Sequence, residues 1–127
     1  MANPNIAAVT EIVGNSVSVA IGTGSPDTQV VSNASGSNKV YKINTIMVAN
    51  IDGSSAADVT VNLYSAAGLG GSATAIASTI SVPADSTLIV TDKTTSFYLL
   101  EDKSIGASAS ASGDLILTCS WEEITDV

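Results

Sequence analysis

The sequence predicts an all-β fold, an antiparallel β-sandwich with a jelly-roll-like arrangement, and three observations support this prediction. Apolar and polar residues alternate with a period of two along most of the chain, which places one set on a core face of a sheet and the other on its outer face. Turn-forming residues recur at short intervals, as they do in sandwiches and barrels. The filler residues are β-branched or small, and charged residues make up only 13% of the chain, a composition that suits pleated, half-buried surfaces.

The alternation defines a series of short strands in chain order. It is clearest near the C-terminus, where Leu115, Leu117, Cys119 and Trp121 alternate with polar or β-branched partners. The predicted strands are 6–13, 16–21, 28–32, 39–51, 58–64, 75–82, 87–91, 97–101, 104–111 and 114–124. The turn signals between them are Gly14-Asn15, 22–27, 33–38, Asp52-Gly53, 68–72, 83–85 and 112–114.

A helix finds little support in the one Ala-rich stretch, 65–77. Gly68, Gly70 and Gly71 interrupt it, and each glycine costs about 1 kcal/mol in a helix interior. We interpret the stretch as the end of one strand, a flexible glycine loop and the start of the next strand.

The core of the sandwich is predicted from the inward positions of these strands. The candidate core residues are Ile43, Met47, Val59, Val61, Leu63, Leu115, Leu117, Cys119 and Trp121. Strict alternation puts Ile43 and Met47 on one face of the strand 39–51, and Ile46 and Val48 on the other. Because both faces are apolar there, we expect the middle of this strand to be covered twice, by another sheet of the same chain or by a second protomer.

The chain of 127 residues fits a single β-sandwich domain, 1–127. No composition shift or linker divides it. Residues 1–30 are the exception, since they are rich in Gly, Ser and Thr and form either an extended arm or edge strands. We see no signal-peptide pattern at the N-terminus and no apolar run of the roughly 20 residues that a membrane-spanning helix needs.

The charge balance argues against several partners. The formal net charge is −8, with four basic residues, all lysine, against twelve acidic ones. Phosphate recognition draws on clusters of Lys and Arg, so we expect neither a nucleic-acid partner nor binding to an anionic membrane. The chain has no histidine, which removes the usual neutral-pH base and the commonest metal ligand. We therefore expect no enzyme activity, no cofactor, no metal site and no catalytic residue.

Carboxylates are the remaining candidates for chemistry. The pairs Glu101/Asp102 and Glu122/Glu123 resemble a glycosidase acid and base in residue type, but sequence neighbours on a strand point to opposite faces. We expect them to be a solvated turn and a charged strand end. The stretch around Asp52-Gly53, with Asn50 and Asp58, offers oxygen ligands for Ca²⁺ but does not match the twelve-residue loop pattern. A turn is the simpler interpretation.

Cys119 and Trp121 share an apolar strand face. A lone buried cysteine behaves as a small hydrophobe, and no nearby cation is present to activate this one. Trp121 is interpreted as a core residue as well, although its place near the chain end leaves an interface role open.

Several segments resemble small virion structural proteins of tailed phages, especially phages of marine cyanobacteria. These segments are KVYKINTIMVANIDG (39–53), ADVTVNLY (57–64), IASTISVPADSTL (76–88), FYLLEDKSI (97–105) and DLILTCSWEEI (114–124). The resemblance covers about residues 38–124, and its motifs belong to the scaffold. The family pattern has Glu-Gly-Asp at one turn where this chain has Glu101-Asp102-Lys103, a difference that concerns the geometry of the turn.

The resemblance implies a capsid decoration (cement) protein that stabilises a phage head through protein–protein contacts. It further implies the major capsid protein or other virion proteins as partners, a homo-oligomer with a trimer favoured, synthesis in the host cytoplasm and a final place on the capsid surface. Two other functions stay open. One is a neck or tail component, and the other is a carbohydrate-binding, adhesin-like β-sandwich.

Overall fold

The computed structural model describes residues 4–126, and these residues form mainly β-strands. A single 3₁₀ turn, Lys93–Thr95, lies between β6 and β7 within this described part. The strands are β1 (Glu11–Ala20), β2 (Thr28–Asn33), β3 (Val40–Asn50), β4 (Ala57–Ala66), β5 (Gly70–Val82), β6 (Thr87–Thr91), β7 (Phe97–Leu99), β8 (Lys103–Ala109) and β9 (Leu115–Thr125).

The described strands build two antiparallel sheets. The first sheet has the order β1-β9-β3-β6, with β7 pairing on β3 beyond the end of β6, and the second has the order β2-β8-β4-β5. The two sheets face each other across one hydrophobic core. Two layers of four strands in this order form a jelly roll whose sixth strand is broken into β6 and β7. The predicted all-β sandwich is therefore confirmed.

The core lies between the two sheets and is mainly aliphatic. Among the candidate core residues, Ile43, Val59, Val61, Leu115, Leu117 and Cys119 are fully buried, Trp121 is buried, and Leu63 is half-buried against them. Full burial of one such aliphatic side chain stabilises the fold by about 1.5–3 kcal/mol relative to its exposure. The strands β3, β4 and β9 supply most of this packing.

Met47 lies outside the core, and the prediction that placed it there is wrong. The pairing of β3 with β9 advances from Ile43 to Thr45 while the partner strand advances by one residue, so Asn44 is an extra residue in β3. Such a bulge reverses the alternation that follows it. Ile46 and Val48 are consequently fully buried beside Ile43, and half-buried Met47 faces outward.

The first strand also differs from the prediction. The expected turn at Gly14-Asn15 is absent from β1, because Gly14 pairs with Glu122 and Asn15 with Trp121 in an uninterrupted register. Residues 11–13 of the predicted strand 6–13 and most of the predicted strand 16–21 are thus parts of one strand at the edge of the first sheet. Residues 6–10, predicted as strand, precede it and begin in a turn closed by the Ala8 N–H, which donates to the carbonyl oxygen of Asn5 (3.0 Å). Of the segment 1–30, residues 1–3 lie outside the described residues.

Two buried asparagines, one in each sheet, link the two sheets by hydrogen bonds. Asn33 of β2 donates from Nδ2 to the carbonyl oxygens of Lys39 (2.9 Å) and Leu99 (3.2 Å), which crosses from the second sheet to the first. Asn50 of β3 donates to the carbonyl oxygen of Val82 on β5 (2.9 Å), which crosses back. Both side chains are almost fully buried, so their bonds satisfy groups that water cannot reach.

The β4–β5 hairpin bends back over the second sheet. Ser104 of β8 holds it, since its Oγ donates to the carbonyl oxygen of Ala66 (2.8 Å) and accepts the Leu69 N–H (2.9 Å). The Leu69 side chain then lies on Gly106, where an added Cβ would meet Leu69 Cδ2 at 2.7 Å. A glycine at this position is what allows the hairpin to close on the sheet.

Replacing Gly106 with alanine is expected to destabilise the fold by about 1–3 kcal/mol, the range for overpacking a filled site. The new Cβ would meet Leu69 at 2.7 Å and the Cβ of Asp27 at 3.1 Å, so one of them must move. Urea unfolding measures the change in free energy. Gly14→Ala is the matched control, because an added Cβ there meets nothing within 4 Å. Equal stabilities of the two variants would contradict this account of the hairpin.

Candidate functional site: the outer face of the first sheet

The outer face of the first sheet is the feature of this molecule best suited to a function. Leu117 and Cys119 point into the core, so their neighbours Ile116, Thr118 and Ser120 point outward from β9. The strand register aligns the outward residues in rows that cross all four strands. In one such row, Ser18, Thr118, Met47 and Ile89 lie side by side. We define the charge-free face as Ser16, Ser18, Ala20, Thr45, Met47, Ala49, Thr87, Ile89, Ile116, Thr118 and Ser120.

None of these described positions carries a charge, although the chain as a whole has a net charge of −8. The outward residues of a solvated sheet are usually polar, yet here they are Ser, Thr, Ala, Ile and Met. Charges begin at the adjoining rows, where Glu122 pairs with Lys42 in the β3–β9 register at one end and Asp114 lies two residues before Ile116 at the other. The boundary between the charge-free face and these charged rows is therefore sharp.

The charge-free face is built from short side chains that lie close to the sheet. Ser18 and Thr118 are hydrogen-bonded to each other across the strands (Oγ–Oγ1 2.8 Å), which uses hydroxyls that would otherwise face the solvent. Ile89 stands out with 52% exposure. Four strands at a spacing of about 4.8 Å make the face about 19 Å wide. A second protein surface can approach such a face closely.

Sequence reasoning identified the inward residues of these strands and missed the outward ones. The signal was present, because the residues that alternate with Leu115, Leu117 and Cys119 are Ile116, Thr118 and Ser120 rather than Lys or Glu. The bulge at Asn44 obscured the rest of the face, because alternation without a bulge assigns Met47 to the core side.

The first pair of carboxylates considered for catalysis, Glu101 and Asp102, is engaged in the scaffold. Glu101 is buried at 2% exposure, which corrects the expected solvated turn, and its Oε2 accepts the Asn38 N–H at 2.6 Å. Asp102 accepts the Ala67 N–H at 3.1 Å. Both carboxylates therefore fix loops rather than face a cleft.

The second pair is likewise structural. Glu123 accepts hydrogen bonds from Trp121 Nε1 (3.1 Å), Asn15 Nδ2 (3.3 Å) and Lys39 Nζ (3.2 Å). Burial by itself would raise the pKa of Glu123, but these bonds outweigh it and hold the pKa below its ordinary value. Glu122 accepts from Asn44 (3.0 Å). The expected charged strand end is thus a hydrogen-bonded cluster.

Trp121 and the stretch around Asp52 do not form the sugar platform or the metal site considered for them. Trp121 is 7% exposed within the core and stacks on Tyr41 with ring centroids 6.1 Å apart, so it offers no platform for a sugar. Asn50 uses its Oδ1 to accept the Asp52 N–H (2.9 Å), which makes this stretch a turn. Residues 4–126 contain no cluster of three or more acidic, His or Cys side chains suited to a metal.

An open depression of about 150 Å³ lies at one end of the second sheet. It is lined by Leu63, Tyr64, Ser65, Ser72, Thr74 and Lys103. The lining contains no carboxylate, so the depression does not provide the acid–base pair of a glycosidase.

Comparisons with known proteins are limited to the fold. No protein-family model matches the chain, and no curated protein matches it. One similar solved structure is described under Bacillus endospore appendages that form a novel family of disulfide-linked pili. Its sequence is 18% identical to this chain, and the TM-score is 0.49 over 90% of this chain and 88% of that chain.

A second similar structure is that of the infectious bursal disease virus Gx strain, with 11% identity and a TM-score of 0.45 over 93% of this chain and 34% of that chain. This chain thus spans about a third of that viral chain. Similarities this low do not bear on function.

None of the helical segments in residues 4–126 has the length and hydropathy of a membrane span.

Cys119 is expected to resist alkylation in the folded protein. Its side chain is fully buried, and burial raises the pKa of the thiol to about 12, whereas the thiolate is the reactive form. Mass spectrometry after iodoacetamide treatment at pH 8 should show unmodified native protein and full labelling in urea. Rapid labelling of the native protein would reveal an activated thiol and contradict this assignment.

Protonation of Glu123 is expected below the usual range for a glutamate. Because its folded-state pKa is lowered, its stabilising effect is present above the unfolded pKa and is lost as the pH falls through the folded one. The indole N–H resonance of Trp121, which donates to Glu123, reports this step by NMR. Glu123→Gln should abolish the titration. A midpoint at or above that of a free glutamate would contradict the cluster.

Proposed function

We propose that this chain is a structural protein of a phage virion, most specifically a capsid decoration protein that binds the head through the charge-free face. The observation that carries this proposal is a face of eleven outward positions without a charge on a chain of net charge −8. The resemblance of residues 38–124 to small virion proteins of tailed phages supports the same function.

Interface cores are depleted in charged residues relative to the rest of a protein surface, and the charge-free face has this property. Its hydroxyl groups are partly satisfied inside the sheet, as in the Ser18–Thr118 bond, so covering them leaves fewer polar groups without a partner. None of the twelve acidic residues lies on the face itself, and the exposed ones keep the rest of the surface solvated.

A binding role also accounts for what the candidate catalytic groups do. Glu101, Asp102 and Glu123 each accept hydrogen bonds from the scaffold, and Cys119 is buried. These groups stabilise loops and strand ends, and the protein then acts by contact with its partner, the major capsid protein or another virion protein.

The proposal is tested on particles of the phage that encodes this chain. Mass spectrometry of separated heads and tails is expected to find the chain with the heads. Recovery with the tails alone would favour the neck or tail component, and absence from both fractions would contradict a virion role.

Met47→Lys is expected to weaken binding of the purified chain to heads that lack it by at least about tenfold, because an unpaired charge at the centre of an interface is costly to desolvate. Lysine has nearly the length of methionine, and half-buried Met47 lies outside the core, so the fold should persist. Ser35→Lys, which adds the same charge in an exposed turn, is the matched control. Equal head binding by both variants in a cosedimentation titration would contradict the assigned face.

A further inference from the structure

The edge strands of the two sheets differ in how regular they are. The β5 edge carries three extra residues relative to β4, with a register shift at each, and β2 carries one at Val30. The remaining edge is interrupted, because β6 has an extra residue at Val90 and the 3₁₀ turn separates it from β7. Bulges and breaks of this kind blunt an edge against pairing with another chain.

Among the described strands, β1 is the edge that lacks such a device. Its ten residues pair with β9 without a register shift. From Ile12 to Ala20 it contains no charge and no proline, and Ile12 and Val13 are 55% and 45% exposed. A long, regular and partly apolar edge is the kind that recruits another strand.

The backbone groups that face the free side of β1 can be assigned. The Ile21 N–H donates to Leu115 across the ladder, and in an antiparallel pair the hydrogen-bonding residues alternate. The odd-numbered residues of β1 therefore bond to β9. The N–H of Ser16 agrees, since it donates to the side chain of Asn15 instead of to β9. The free edge presents the N–H and C=O groups of Ile12, Gly14, Ser18 and Ala20, together with the C=O of Ser16, whose N–H is bonded to Asn15 Oδ1 (2.9 Å).

We propose that β1 pairs antiparallel with β1 of a second copy of this chain across a two-fold axis at Ser16. This register places Ser16 opposite Ser16, Gly14 opposite Ser18 and Ile12 opposite Ala20. It uses every backbone group that faces the free edge, and the Ser16 N–H exchanges its bond to Asn15 Oδ1 for one to the carbonyl oxygen of the other copy. It also brings exposed Val13 beside Val19 of the other copy, which covers an apolar side chain that the isolated copy leaves in water.

The occupant is a second copy because of regularity and charge. A straight ladder of this length needs an equally regular partner edge, and within residues 4–126 β1 is the one that qualifies. Glu11 is the sole charge on the strand. In the proposed register it lies opposite Ile21, about 34 Å along the ladder from the other Glu11, which is several screening lengths at physiological salt. Two copies of net charge −8 can therefore meet here without opposing like charges.

This inference deepens the proposed function, because it names where copies of the structural component meet. It replaces the trimer that the resemblance implies with a two-fold pair. Its test uses the isolated chain and no phage particle, so its failure is distinguishable from failure of head binding, which is tested at Met47 on a different surface.

The experiment compares Gly14→Pro with Gly14→Ala by sedimentation equilibrium of the full chain. Proline removes an N–H that faces the free edge while leaving the β9 ladder intact, and edge strands tolerate it there. Because the axis is two-fold, one substitution removes two interchain hydrogen bonds from Gly14 to Ser18, which together correspond to about a tenfold higher dissociation constant. Gly14→Ala keeps the N–H, its Cβ meets nothing within 4 Å, and it is expected to match the wild-type dimer.

A second measurement keeps the proposal open to refutation if Gly14→Pro does not fold. Amide hydrogen exchange of the wild-type chain is expected to slow at Gly14, Ser18 and Ala20 as the protein concentration rises, while Val17 stays protected throughout. A monomer at all concentrations, a trimer, a dimer unaffected by Gly14→Pro, or exchange at these three amides that is independent of concentration would each overturn it.

Discussion

The fold depends on the packing of one aliphatic face of each sheet against the other. Val59 and Val61 from the second sheet and Leu115 and Leu117 from the first are fully buried, and with few aromatic residues available the core relies on many such aliphatic contacts. Once these faces are covered, the outward side of each strand is fixed by alternation. The position of the charge-free face therefore follows from the position of the core.

The sequence predicted the strands well and the faces less well, for a physical reason. Alternation and turn residues are local signals, so the predicted strands 87–91 and 114–124 nearly coincide with β6 and β9. A bulge is set by how two strands pair across the sheet, and Asn44 in β3 gives no local sign that it is an extra residue. One such residue moved Met47 from the core to the outer face.

The buried polar residues show the same limit. Asn33, Asn50 and Glu101 lie in stretches rich in turn residues, where exposure was the reasonable expectation. Each is buried because it bonds to backbone groups of a distant segment; Asn33, for instance, reaches Leu99, sixty-six residues away. Partners that far apart in sequence can be identified only once the sheets are assembled. Only then can a solvated turn be distinguished from a buried link between the two layers.

The free edge of β1 and the charge-free face belong to the same sheet, and their geometry makes them compatible. A two-fold axis that relates antiparallel neighbours in one sheet is perpendicular to that sheet, so the outer faces of both copies point the same way. Two faces, each about 19 Å wide, then form one continuous surface of eight strands. Pairing through β1 leaves Met47 and Thr118 uncovered, and the pair presents to a flat partner twice the area that one copy offers. Edge pairing between copies and face binding to a capsid are thus additive in this fold: the first enlarges the surface on which the second depends.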